Sequence, residues 1–253
     1  MKTRAKRAAP VRVTPATAQV IFVNHSGGKD SQAMLNYLVQ QGHGPKIVVI
    51  HADLGEMEHE PMLPWITSIA HGLPVHNIVP PRDFFTVVRD AGRFPAGLHK
   101  FCSGRLKTEP LNKFIVDYME SRGLTHALTA VGIRHSEGGS RKHATEFHRA
   151  ACDAPTKNRN VTQWNPILKW SVEDVFSCIA SHNQKPHAVY ARGWSRLSCT
   201  LCVYASKDDH KRARAERPEL FAKFVQLEAD LGKSIRMWKR KSGNLNQWLK
   251  DLE

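Results

Sequence analysis

Val20-Ile21-Phe22-Val23-Asn24-His25-Ser26-Gly27-Gly28-Lys29-Asp30-Ser31 is the stretch that decides the fold. Its first four residues form a short continuous apolar run, the pattern of a strand buried on both faces. Beyond it Met34, Tyr37, Leu38 and Gln41 share one helical face, Asp30 or Ser31 is placed to cap that helix, and Gly42 ends it. Between strand and helix stand two glycines, whose freedom lets backbone N–H groups turn inward as an anion nest. The helix N-terminus adds partial positive charge and Lys29 a full one, while Ser26 and Ser31 carry hydroxyls that can donate to phosphate oxygens. Phosphate binding is therefore expected from Ser26, Gly27, Gly28, Lys29, Asp30 and Ser31 together. The loop is not a Walker A sequence, which needs G-x-x-x-x-G-K-[ST]. Gly232-Lys233-Ser234 completes only the end of that pattern, because Leu227 stands where the first glycine belongs.

Outward from this junction the same alternation continues. Lys46-Ile47-Val48-Val49-Ile50-His51 repeats the buried-strand pattern, followed by a helix around residues 60–71 and a strand near 75–79. Helices near 83–89 and 106–122 and a strand over 125–131 complete the series, so a parallel sheet covered by helices is expected. Residues 134–160 carry Arg134, Arg141, Lys142, Arg149, Lys157 and Arg159 without clear period and read as a long loop, a kind usually functional. Ser171-Val172-Glu173-Asp174-Val175 starts a helix with a capping box, its buried face expected to hold Val175, Phe176 and Ile179. The pattern divides the chain into a basic flexible arm over 1–18, a nucleotide-binding domain with the cysteines over 19–206, and a basic helical extension over 207–253.

The 253 residues are 41% hydrophobic and 24% charged, ordinary for a globular chain. No apolar run approaches the roughly 20 residues of a membrane-spanning helix, and no apolar core follows the charges of Met1–Arg7, so neither an integral membrane protein nor a secretory leader is expected. The 37 Lys+Arg against 23 Asp+Glu leave a net charge of +14, which favours a polyanionic partner, DNA or RNA. Five cysteines are too few and scattered for a disulfide scaffold, so a reducing, cytoplasmic setting is expected.

The hexapeptide SGGKDS resembles the PP-loop of the N-type ATP pyrophosphatases, particularly the branch that includes the PAPS and APS reductases. His51-Ala52-Asp53-Leu54-Gly55-Glu56 is similar to that family's second-strand element, and Cys102-Ser103-Gly104-Arg105-Leu106-Lys107 to its cysteine-plus-basic element. Gly132-Ile133-Arg134 with Glu137 and Arg141, Trp164-Asn165-Pro166-Ile167 and Arg196-Leu197-Ser198-Cys199-Thr200-Leu201-Cys202 follow in family order. The resemblance covers about residues 19–206. It implies an α/β, Rossmann-like (adenine nucleotide alpha hydrolase-like) sheet that binds ATP, or PAPS or APS, at the carboxyl ends of its strands. Lys29, Asp30 and Arg134 are the expected catalytic residues. Asp53 is expected to contact ribose or hold Mg²⁺, Gly132 to line the nucleotide, and Arg134 and Arg141 to clamp a phosphate or sulfate.

Cys199 and Cys202 have the two-residue gap that lets both sulfurs face one metal. The resemblance implies that they and Cys102 bind an iron–sulfur cluster, with Cys152 as candidate fourth ligand and Cys178 as a core thiol. Zinc, held with a histidine such as His210, is the alternative. His25 is expected to be structural. Three functions fit the scaffold: an ATP pyrophosphatase that adenylates a substrate and takes part in sulfur transfer to a nucleic acid with a sulfur-donor protein; a sulfonucleotide reductase; and a nucleotide-responsive nucleic-acid-binding module. The first resembles the ATP-using component of bacterial DNA phosphorothioation and the tRNA thiolases. The second departs from the reductase pattern, because no cysteine follows Cys202.

Overall fold

The computed structural model describes residues 12–96, 99–197, 199–235 and 245. Strand β1 (Val20–Asn24) leads through the Ser26–Gly28 turn into helix α1 (Lys29–Gln40), and β2 (Ile47–Ala52), α2 (Met62–Ser68), β3 (Val75–Ile78) and α3 (Phe84–Ala91) follow. Next come a short turn α4 (Phe101–Ser103), a π-helical stretch over Gly104–Thr108, and α5 (Glu109–Ser121). Strands β4 (His126–Val131), β5 (Phe147–Arg149) and β6 (Asn160–Trp164) precede α6 (Val172–Ser181), α7 (Lys207–Glu216) and α8 (Pro218–Leu231).

One six-stranded sheet has the order β3-β2-β1-β4-β6-β5, all parallel except β5, which runs against β6. The order reverses between β1 and β4. That reversal opens a crevice at the carboxyl ends of these two strands, the place where open α/β sheets bind ligands. Side chains alternate across the sheet. Ile21 and Val23 pack with Met34, Leu35 and Leu38 of α1, while Val20 and Phe22 pack with Ile115 and Met119 of α5. Phe22 is fully buried, with Tyr118 edge-on at 5.3 Å; burial of such a side chain stabilises by about 1.5–3 kcal/mol.

The structure corrects several expectations. Residues 134–160 are not one loop: they hold three short 3-10 turns and β5, and β6 begins at Asn160. No apolar run announces β6, because its buried Asn160 and Thr162 are polar; Thr162 Oγ1 accepts from the Val13 N–H at 3.0 Å. That bond also removes residues 12–18 from the expected arm, since Val13 and Ala18 are buried in the core; residues 1–11 lie outside the described residues. Helix α1 is capped by Gly28 rather than by Asp30 or Ser31. Phe176 is 38% exposed, leaving Val175 and Ile179 to pack on Ala33 of α1. The C-terminal helices pack into the same core as the sheet, with Phe224 of α8 stacked on Phe84 of α3 at 5.2 Å. The helical expectation for 207–253 holds through Leu231, and residues 236–244 and 246–253 lie outside the described set.

Candidate nucleotide site

The turn after β1 has one conformation open to it. Gly27 has φ +78, and a Cβ there would stand 2.8 Å from Met62 Sδ, so this position admits only glycine without rearrangement. Trp65 Nε1 donates to the Gly27 carbonyl at 3.0 Å, and the Gly27 N–H donates to His25 Nδ1 at 3.1 Å. Burial, with the His51 charge adding, pushes His25 down to about 3. The ring is neutral and its Nδ1 can accept. The expected structural role of His25 is thus to hold the turn. Ser31 Oγ donates to the Gly28 carbonyl at 2.8 Å and lies 3.4 Å from Ser26 Oγ.

Across the crevice, Gly132 follows β4. A Cβ there would sit 3.0 Å from the Asp30 carbonyl oxygen, so the glycine lets the β4 end press against the first turn of α1. Arg134, 3% exposed, then reaches back: its Nε donates to Asp30 Oδ1 at 2.6 Å and its NH1 to Ser136 Oγ at 2.6 Å. Lys29 Nζ meets the other Asp30 oxygen at 3.2 Å. Glu137 accepts from the Arg134 N–H at 2.8 Å and also pairs with Arg141. Lys29, Asp30, Gly132 and Arg134 therefore come together at the switch point, with Arg141 joined through Glu137. The two arginines stand as partners of carboxylates rather than as free clamps.

Asp53 ends β2 on the same sheet edge. Burial raises its pKa, but hydrogen bonds from Asn77 Nδ2 at 2.7 Å and the Gly55 N–H at 2.8 Å, with the His51 charge, outweigh this and hold the carboxyl below the usual range. It is an ionised oxygen donor of the kind Mg²⁺ takes.

Cys102, Cys199 and Cys202 lie within electrostatic reach of one another. Burial pushes the Cys102 thiol up to about 11, with the other two sulfurs adding and Lys107 opposing. Cys199 is raised by burial as well, against Lys107 and Arg196. This donor set has the softness iron–sulfur clusters and zinc prefer. Among the described residues, however, no three His, Cys, Asp or Glu side chains are arranged to hold a metal ion. Cys152 is not brought to these thiols: it is buried among Val20, Phe22 and Val161, beneath the opposite face of the sheet from Cys102 and Cys199. Cys178 sits on α6 and its Sγ donates to the Ala33 carbonyl at 3.5 Å, as a core thiol would. The His210 Nε2 lies 3.0 Å from the Cys202 carbonyl oxygen.

Sequence reasoning did not single out Tyr190. Its Oη accepts from the Lys29 N–H at 3.1 Å, and Lys29 Nζ lies 5.3 Å from the centre of its ring. The pair is 161 positions apart, and nothing local to Tyr190 marks it.

No helix among the described residues is long and apolar enough to cross a membrane. The family model of the phosphoadenosine phosphosulfate reductase domain matches residues 20–205. An uncharacterized 37.8 kDa protein of Escherichia phage 186 is 30% identical over 138 residues, 54% of this chain and 40% of that protein. An uncharacterized protein of Methanocaldococcus jannaschii is 27% identical over 233 residues, covering 87% of this chain and 46% of its own length. An adenosine 5'-phosphosulfate reductase of Neisseria meningitidis serogroup B is 33% identical over 102 residues, 40% of this chain and 36% of that one. The crystal structure of phosphoadenylyl-sulfate reductase from Candida auris, a phosphate complex, aligns with TM-score 0.47 and 12% identity over 73% of this chain and 83% of that chain. The chain spans about half the length of the first curated relatives it matches, 40%, 46% and 55%. With the match running from the first residue of β1 to just short of α7, the chain belongs to the phosphoadenosine phosphosulfate reductase domain family.

Proposed function

We propose that the chain is an enzyme that holds an adenine nucleotide by its phosphates at Ser26–Ser31, splits ATP between its α and β phosphates, and adenylates an acceptor oxygen that sulfur then replaces. The observation that carries this reading is the place of the loop: glycine-built, at the N-terminus of α1, on the strand-order reversal between β1 and β4. The acceptor oxygen attacks the α-phosphorus, the α–β bond breaks, and pyrophosphate leaves carrying the electron pair. Backbone N–H groups of the turn and the Lys29 ammonium stabilise that developing charge. Arg134 fixes Asp30, and with it the first turn of α1. Asp53 is the residue that would hold Mg²⁺, which supplies charge neutralisation on the phosphates.

Sulfide from a donor protein then attacks the adenylated acceptor, forming its bond to sulfur as the bond to oxygen breaks and AMP leaves with the electron pair. A donor persulfide does the same, and its S–S bond to the product is then cleaved by two thiols, which are oxidised to a disulfide. Cys102, Cys199 and Cys202 would hold an iron–sulfur cluster, or zinc, once deprotonated and closed around it. Iron and acid-labile sulfide in anaerobically prepared protein test that occupancy, and a colourless, zinc-containing sample replaces the cluster with zinc. The net charge of +14 supports a nucleic-acid acceptor, DNA or RNA.

A second reading, reduction of APS or PAPS, draws support from the identity to an adenosine 5'-phosphosulfate reductase. One experiment separates the two. The chain is incubated with ATP, Mg²⁺ and DNA or tRNA while AMP and pyrophosphate are measured, in parallel with APS or PAPS, a thiol donor and sulfite detection. Equal amounts of AMP and pyrophosphate support adenylation; sulfite release establishes the reductase in its place.

A further inference from the structure

Three of the donors that the loop would offer to a phosphate are already engaged by the protein. The Gly27 N–H is on His25 Nδ1, the Lys29 ammonium is beside Asp30 and the face of Tyr190, and the Lys29 N–H is on the Tyr190 hydroxyl. The last contact differs from the others. Tyr190 Oη accepts from the Lys29 N–H at 3.1 Å, and it would lie 3.3 Å from a Cβ on Gly28. An oxygen held by an amide hydrogen at the first residue of a helix occupies the position an anionic oxygen takes.

From this geometry we infer that the Tyr190 hydroxyl is a built-in stand-in for a phosphoryl oxygen, a gate that an incoming nucleotide phosphate must displace from the Lys29 N–H. The inference rests on the reading of Ser26–Ser31 as a phosphate loop.

The backbone under Tyr190 is fixed. Val189 and Trp194 are buried, His187 Nε2 pairs with Glu60 at 2.7 Å, and the Trp194 indole donates to Glu216 at 3.2 Å. Only the phenol therefore has to turn aside. Its loss from the nest has a cost, because the hydroxyl is taken from the Lys29 N–H, and the phosphate must outcompete it. The same arrangement explains how a loop shaped for phosphate keeps its N-terminal amide paired in the nucleotide-free chain, where an unpartnered buried N–H is costly. A ligand without phosphate has nothing to offer the Lys29 N–H and leaves the gate shut.

The test is calorimetry of ADP and of adenosine with wild type and Tyr190→Phe, with a tyrosine ultraviolet difference spectrum at ADP saturation. Removing the hydroxyl while keeping the ring should tighten ADP roughly 2- to 10-fold, the worth of one net hydrogen bond, and leave adenosine unchanged. Wild type should show a tyrosine difference band on ADP binding that Tyr190→Phe lacks, a signature that a merely packing role does not give. Unchanged or weaker ADP binding by Tyr190→Phe, or an equal gain for adenosine, overturns the gate. Should Tyr190→Phe not fold, the wild-type spectrum decides: no tyrosine signal at ADP saturation overturns it. Lys29→Ala is the companion variant. Equal ADP affinity in wild type and Lys29→Ala sinks the phosphate-loop reading itself, whereas loss in Lys29→Ala with no effect of Tyr190→Phe sinks only the gate.

Discussion

Arg134 reaches Asp30 across 104 positions of sequence, its Nε donating to Asp30 Oδ1 at 2.6 Å. The contact clamps the segment after β4 to the first turn of α1, and so sets the width of the crevice between them. Arg134 also spends its NH1 on Ser136, so the guanidinium plane has one orientation.

Asp30→Ala leaves that guanidinium buried with one carboxylate partner fewer. It should destabilise the chain by roughly 3 kcal/mol, the low end for breaking a buried pair, since the Asp30 side chain is 20% exposed. Arg134→Lys should recover little of the Arg134→Ala loss, because one ammonium cannot serve Asp30 and Ser136 in their fixed directions. Urea midpoints for the three variants measure this; a shift worth under about 1 kcal/mol for Asp30→Ala would show the pair to be ornamental.

Gly132 and Gly27 fail differently when given a methyl group. At Gly132 the obstacle is backbone: the Asp30 carbonyl oxygen at 3.0 Å and carbon at 3.1 Å cannot swing away. Gly132→Ala should push α1 and the β4 end apart, costing about 1–3 kcal/mol of stability and weakening nucleotide binding with it. At Gly27 the first obstacle is the flexible Met62 side chain, but φ +78 remains strained for alanine. Met62→Ala should therefore only partly rescue Gly27→Ala. Full rescue in thermal melts would mean that sterics alone, and not backbone conformation, select glycine there.

Lys29→Ala should abolish nucleotide binding by calorimetry while altering stability little. The Lys29 side chain is 14% exposed, and its Asp30 contact is the weaker of that carboxylate's two, 3.2 Å against 2.6 Å from Arg134. Unchanged ADP affinity would remove the loop from the mechanism.

How far the sequence reaches can be judged element by element. The apolar run of β1, the glycines behind it and the capping box of α6 are local signals, and each element stands where those signals put it. β6 is not local: its buried Thr162 is satisfied by Val13, 149 positions away, so its polar residues look like a loop until the fold supplies the partner. β5 is three residues long with His148 and Arg149 exposed, an edge strand with almost no hydrophobic pattern. At the site, the loop and Arg134 were visible as motifs, but the carboxylate partners of Arg134 and Arg141 and the hydroxyl over Lys29 were not. Motif residues announce which chemistry is available; their pairing is decided by strand order, which brings β1 beside β4. Cys152 shows the converse, a candidate ligand by residue type that the turn after β5 buries with Val20, Phe22 and Val161, apart from Cys102 and Cys199.

The buried histidines make a prediction about pH. Burial, with His51 adding, lowers His25 from 6.5 to about 3, and burial, with Arg192, His187 and Arg217 adding, lowers His59 to about 4. For a histidine depressed in the folded state, the unfolded chain binds the proton first. Stability is therefore full above pH 6.5 and falls as pH drops through the window down to about 3 for His25 and about 4 for His59. Each contributes up to about 1.4 kcal/mol per pH unit within its window. Asp53 acts in the same direction at lower pH, its folded pKa being depressed and its contribution lost as it protonates. Urea midpoints at pH 7 and pH 5 should differ strongly in wild type and clearly less in His25→Asn, whose amide oxygen still accepts from a neighbouring N–H but binds no proton. The slope and the loop are connected: protonated His25 cannot accept from the Gly27 N–H, so acid should also loosen the turn and weaken ADP binding. If His25→Asn keeps the full wild-type slope, the imidazole is not the group that couples this turn to pH.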